Sequence, residues 1–171
     1  MILKEELSQL VIRQAVEADL PALEWDGEYT HFRRLYADVY NGVIHHNALM
    51  WIAELPGTGL VGQLFISLIS SRFELADGQT RAYVYGFRVK PDYRSQGVGT
   101  AMMEIIEEDL HRRGFSRVTL NVSKENTSAR RLYERLGYRV VGNEAGRWSY
   151  IDDQGRRQEV HEPAWRMEKL L

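Results

Sequence analysis

Apolar residues arrive along this chain in two rhythms: near-alternation, which predicts strands, and a spacing of three to four, which predicts helices. Residues 11–15 form a short strand-like run, followed by Glu17, Ala18 and Asp19, with Pro21 near the start of a helix. From 30 to 40 the positions Phe32, Leu35, Tyr36 and Val39 fall at i, i+3, i+4 and i+7, a second helix. Residues 49–55 and 60–69 read as two strands joined by Pro56-Gly57-Thr58-Gly59, a hairpin signal. Asp77-Gly78 turns the chain into a third strand over 81–89, where Tyr83, Tyr85, Phe87 and Val89 alternate with smaller residues. Pro91 stops it.

Beyond Gly97 and Gly99, residues 100–113 predict a helix closed by Gly114, with Val98, Ala101, Met102, Ile105 and Ile106 on its inward face. Val118, Leu120 and Val122 then alternate, and a strand that returns after a helix implies a right-handed crossover. Asn126-Thr127-Ser128 caps a further helix carrying Ala129, Leu132, Tyr133 and Leu136 on one face, ended by Gly137. Residues 138–141 and 148–151 are extended, Asp152-Asp153-Gln154-Gly155 turns, and 165–171 are extended again.

Composition narrows the class. The 171 residues suit one domain, read as 10–171, with 1–9 as an N-terminal extension. There is no cysteine, which excludes a disulfide framework, a thiol nucleophile and a thiolate metal site. No apolar run approaches the roughly 18 residues of a membrane span, and the start lacks the apolar core of a signal peptide, so a cytoplasmic protein without a membrane partner is expected. The net charge of −2 argues against a strongly basic nucleic-acid module. That total conceals an asymmetry: residues 1–80 hold 5 basic and 11 acidic side chains, a balance of −6, and 81–135 hold 11 and 7, a balance of +4. Such a division is ordinarily just a solvated surface, unless an anion site falls in the basic stretch. His45-His46 are neighbours whose side chains diverge, and His161-Glu162 lacks a second His four residues on, so no metal is expected.

An anion site does fall there. Lys90-Pro91-Asp92-Tyr93-Arg94-Ser95-Gln96-Gly97-Val98-Gly99-Thr100 joins a strand to a helix N-terminus, where unpaired N–H groups and the helix dipole favour a phosphate. Glycine admits an anion close to the backbone, and Arg94 adds fixed charge. A P-loop would need a Gly-Lys pair, which the sequence lacks. A dinucleotide fingerprint would need a third glycine where Met102 stands and an acid near 118–122, where there is none.

What remains, Arg94-x-x-Gly97-x-Gly99 after a strand ending Phe87-Arg88-Val89, resembles the acetyl-CoA-binding motif of the GNAT superfamily of N-acetyltransferases. The run from Asn126 to Tyr138 and the opening Ile12-Arg13-Gln14-Ala15-Val16-Glu17-Ala18-Asp19-Leu20-Pro21-Ala22-Leu23 are similar to that family in the same order, so the resemblance covers nearly the whole chain from Leu10. It implies an α/β (α+β) fold: a single mixed, mostly antiparallel sheet flanked by helices, with a parallel βαβ crossover at the glycine turn. It also implies acetyl-CoA as co-substrate and transfer of its acetyl group to a primary amine on a small molecule or peptide. The amides of Ser95, Gln96, Gly97, Val98, Gly99 and Thr100 would cradle the pyrophosphate, with Asn126 as a further cofactor contact. The main chain at Phe87, Arg88 and Val89 would pair with the pantetheine arm, and an N–H near Val89 would polarise the thioester carbonyl. Tyr133 matches the family's general acid for the thiolate, the alternative being a core residue on the same apolar stripe.

The family's usual strand glutamate is missing from 81–90; Asp26, Glu28 and His31 in the early loop and Tyr85 are the candidates for the base, with Glu28 preferred among them and a water relay as the alternative. Trp25, Asp26, Glu28 and Tyr29 occupy the early loop where the family builds its acceptor site, and Tyr85 and Tyr150 are added as aromatic wall. Two acids between two aromatics point to a net-cationic acceptor. A non-catalytic acyl-CoA-binding module and a transferase for another acyl group remain open, as does a homodimer through the last strands.

Overall fold

The structure, a computed structural model, describes residues 4–171. Its centre is set by two strands with almost no polar face. β2 (Ala48–Leu55) and β3 (Gly59–Ser67) are buried along nearly their whole length, so apolar layers must cover both sides of the sheet. They lie in a seven-stranded sheet of order β1-β2-β3-β4-β5-β9-β6, with β1 Val11–Gln14, β4 Arg81–Val89, β5 Arg117–Ser123, β6 Arg139–Glu144 and β9 Ala164–Leu170. Every neighbouring pair is antiparallel except β4 and β5, the pair joined through a helix.

On one face lies α3 (Val98–Arg112), whose Met102, Met103, Ile106 and Leu110 are fully buried in the same cluster as Ala82, Val84, Val118, Leu120 and Met167. Lys169 Nζ from β9 reaches Glu107 on α3 at 2.8 Å. Beside α3 runs α4 (Thr127–Arg135), capped as its sequence predicts: the Asn126 side chain accepts the Ala129 N–H at 3.1 Å.

The other face is covered by α2 (Arg33–Ile44) and by 3₁₀ turns at Glu17–Gly27 and Thr30–Phe32. Leu23, Trp25, Phe32, Tyr36 and Val39 pack there on Met50, Ile52 and Phe65. The helix expected near Pro21 is a 3₁₀ segment instead, broken where Trp25 and Asp26 take left-handed angles (φ 47° and 57°). The bend turns Trp25 inward, and its indole N–H donates to the Gln63 side chain at 2.9 Å.

Two elements were not foreseen from the sequence. Lys4–Leu7 forms a helical turn, α1, and Leu7 packs against the main core, so at least this part of the 1–9 extension docks on the domain. Arg157–His161 is a strand, β8, that pairs with β7 (Arg147–Ile151) in a separate hairpin. It is polar along nearly its whole length and mostly exposed, so it carries no apolar rhythm. The hairpin leans on the α2 side, where Tyr150 meets Phe32 with ring centres 4.8 Å apart.

Candidate active site

One glycine opens the site. Gly86 stands at φ +60°, and a Cβ there would come within 2.5 Å of the Phe65 ring, so no side chain fits without displacing that buried ring. In the β3–β4 register, Gln63 faces Arg88 and Phe65 faces Tyr85, leaving Gly86 and Phe87 opposite Leu64 alone. This is a β-bulge, which bends a strand and reverses the facing of the residues beyond it. The alternation read from sequence put Tyr83, Tyr85, Phe87 and Val89 on one face. The bulge divides them. Tyr85 packs with Phe65 on the α2 side, whereas Phe87 and Val89 join the α3 side.

The same bend parts the sheet. β4 and β5 pair from Arg81 with Arg117 to Val84 with Leu120 and no further. Into the gap opens a cleft of about 790 Å³, bordered by the second half of β4, Asn121 to Ser123 of β5, the inner face of α4 and the glycine turn. At the turn, Ser95 (φ 59°) and Gly97 (φ 92°) take left-handed angles. The amides of Val98, Gly99 and Thr100, the first of α3, donate to no carbonyl or side chain among the described residues. Arg94 Nε donates to the Val89 carbonyl at 2.7 Å, which fixes the guanidinium at the cleft edge.

The predicted cofactor residues mostly converge. Phe87, Arg88, Val89, Arg94, Ser95, Gly97, Gly99, Thr100, Asn126 and Tyr133 all border the cleft. Gln96 and Val98 do not. Gln96 Nε2 donates back to the Asp92 carbonyl at 2.9 Å, and the Val98 side chain is core, leaving only its amide for a ligand. Tyr133 is 8% exposed and packs near Phe87 and Tyr138. Burial, with Tyr83 nearby, pushes its hydroxyl well above the ordinary phenol range, so it holds its proton at neutral pH.

The predicted acceptor residues divide. Tyr29 and Tyr85 border the cleft, and burial beside Tyr83 pushes the Tyr85 phenol up to about 12. Trp25 is a core residue bonded to Gln63. Asp26 and Glu28 are exposed and lie outside the cleft lining, as does Tyr150. The structure therefore does not bring Glu28 to Tyr133.

Three cleft features escaped the sequence reading. Glu162, just past β8, is the one carboxylate bordering the cleft among the described residues. Asn121 donates from Nδ2 to the Tyr83 hydroxyl at 3.2 Å while its Oδ1 is buried without a partner. The Arg88 guanidinium lies 4.5 Å from the centre of the Tyr29 ring and 5.3 Å from that of Phe32. The Asp152-Asp153-Gln154-Gly155 turn, legible in the sequence, implies a returning strand that would carry Glu162 back. Nothing local marks the other two.

The sheet thus parts at a bulge, with unbonded helix amides at one end of the gap and a protonated tyrosine on its wall. The sequence model of the acetyltransferase (GNAT) family matches residues 10–138, and the chain belongs to that family. The [ribosomal protein bS18]-alanine N-acetyltransferase of Escherichia coli (strain K12) is 39% identical over 57 residues, which are 33% of this chain and 38% of that protein. The match thus spans well under half the length of that relative. Among solved structures, the ribosomal-protein-S18-alanine N-acetyltransferase from Escherichia coli superposes with a TM-score of 0.70 at 21% identity, covering 94% of this chain and 93% of that one. Ard1 from Thermoplasma volcanium gives 0.72 at 18%, covering 95% and 98%. Spermidine/spermine N-acetyltransferase SpeG from Vibrio cholerae gives 0.68 at 19%, covering 95% and 93%. At these identities the likeness establishes the fold.

Proposed function

We propose that this protein transfers the acetyl group of acetyl-CoA to a primary amine, by direct attack of the amine within a ternary complex. The observation that carries the reading is the bulge at Gly86. It frees one edge of β4 beside the unbonded amides of α3, and these two features suit a pantetheine arm and a pyrophosphate respectively. A thioester brings its own reactivity, so the chain's part is to hold the carbonyl beside a neutral amine and to manage two protons. Tyr133, kept protonated by burial, gives its proton to the departing thiolate. The proton lost by the amine goes to Glu162, the carboxylate at the cleft rim, in place of Glu28, which lies outside the cleft lining.

Acceptor recognition belongs to the end bordered by Tyr29 and Tyr85. The expectation of a cationic acceptor rested on Asp26 and Glu28, and their position outside the lining removes its geometric support.

The test is thiol release from acetyl-CoA across a panel of amines, in a protein whose lack of cysteine leaves no thiol background. Turnover is the expected result. Tight CoA binding without turnover on any amine would identify a non-catalytic acyl-CoA-binding module instead.

A further inference from the structure

Arg88 sits on the reversed side of the bulge. Its neighbours Phe87 and Val89 belong to the α3 face, where the phosphate turn lies, while its own guanidinium reaches Tyr29 and Phe32 on the α2 face. It therefore serves neither the turn nor its phosphates, and the charge at the turn is Arg94.

Arg88 takes part in none of the ion pairs among the described residues. Glu24, the acid whose field reaches Tyr36 together with that of Arg88, is held by Arg33 at 2.8 Å. A half-buried guanidinium packed against two rings has given up water without gaining a carboxylate. Cation–π contact offsets only part of that. Its planar fork is shaped to donate two parallel hydrogen bonds to a carboxylate. The aromatic sides hold it in place, and the cleft gives access.

We propose that the acceptor amine carries a carboxylate close to its amino group, and that Arg88 binds that carboxylate. This deepens, and rests on, the acetyl-transfer reading. The carboxylate belongs either to a free amino acid or to the side chain of an acidic first residue on a peptide, and the two are separated in the test. Wild-type protein is assayed by thiol release with an α-amino acid against its carboxamide, with a tripeptide beginning in Asp against one beginning in Asn, and with spermidine. The expected result is a kcat/KM at least about tenfold higher for the carboxylate member of one pair, with spermidine poor. The pair that shows the preference identifies the source.

In Arg88→Gln the ratio within that pair should fall below about threefold, and Arg88→Lys should keep an intermediate preference. Each ratio is taken within one variant, so any change in acetyl-CoA binding cancels. Equal turnover of the carboxylate and amide members by wild-type protein, a preference for spermidine, or an undiminished ratio in Arg88→Gln would each overturn the assignment while leaving acetyl transfer intact. Absence of turnover on every amine would overturn both.

Discussion

At the scale of single residues, the cleft sets two tyrosines beside one carboxylate, Glu162. Tyr133 and Tyr85 are both pushed upward by burial, so both stay protonated at neutral pH and neither serves as a base. Tyr133→Phe keeps the ring against Phe87 and removes the proton donor. Its kcat should fall on the order of 100- to 10,000-fold under conditions where chemistry limits the rate, with CoA affinity by calorimetry nearly unchanged. Retention of full kcat would return Tyr133 to a packing role, which its place on the apolar stripe of α4 also explains. Glu162→Gln should lower kcat/KM for the acceptor by on the order of 100-fold and flatten its rise with pH, whereas Glu28→Gln should do neither. The reverse outcome would restore the early loop as the source of the base.

Among elements, what matters is where strands and helices begin and part. The glycine turn and the Asn126 cap are local matters, and both stand where the sequence placed them. Gly97→Ala must adopt φ near +92° with a Cβ, which costs about 1–2 kcal/mol in the left-handed region and reshapes the turn. It should weaken CoA binding in a calorimetric titration. At Gly99 the added carbon meets Leu132 and Phe87 at 3.4 and 3.5 Å. Gly99→Ala is therefore accommodated in the fold, while a valine at that position carries two further carbons into the narrow space between α3 and α4. Gly86→Ala is the harsher change, because the new carbon overlaps Phe65 and the angle is again left-handed. We expect a loss of about 1–3 kcal/mol in denaturant unfolding, together with loss of CoA binding as β4 closes toward β5. A variant that unfolds normally and binds CoA as before would mean the gap does not depend on the bulge.

Across the whole molecule, carboxylates tie distant segments together, and several stand below their ordinary range. Glu144, though partly desolvated, is held down by Arg72 and Arg166, which join the loop after β3 to β6 and β9. Burial alone would raise Asp77, but the Thr80 hydroxyl and the amides of Arg81, Gln79 and Thr80 outweigh it and hold the carboxyl well down. Asp19 is lowered chiefly by Arg13. Groups of this kind give their full stabilisation above the unfolded carboxylate range, about pH 4, and lose it as pH falls through their lower folded values. Glu107 opposes them, since burial raises it despite Lys169 and acid relieves that cost. The lowered groups are the more numerous, so the melting temperature should hold from neutral pH to about 5 and fall below about 4. A melting temperature that rose on acidification would show that Glu107 dominates.

The division between sequence and tertiary structure follows the range of the interactions. Turns, caps and the rhythm of buried faces depend on residues within a few positions of one another, so the sequence alone determined the order of most strands and helices, the glycine turn, the Asn126 cap and, through resemblance, the family. The Gly86 bulge depends on a Phe65 ring more than twenty positions away, and it inverts the facing of the β4 side chains after it. That inversion sends Arg88 to the α2 side and Phe87 to the α3 side, whereas the alternation, read by itself, put Phe87 with Tyr85. Trp25 is drawn inward by Gln63 of β3, Asp26 and Glu28 are left outside, and Glu162 is carried to the cleft by β8, a strand with almost no apolar pattern. Side chains meet across a sheet through pairing register, and register is a property of the assembled strands, not of any one of them.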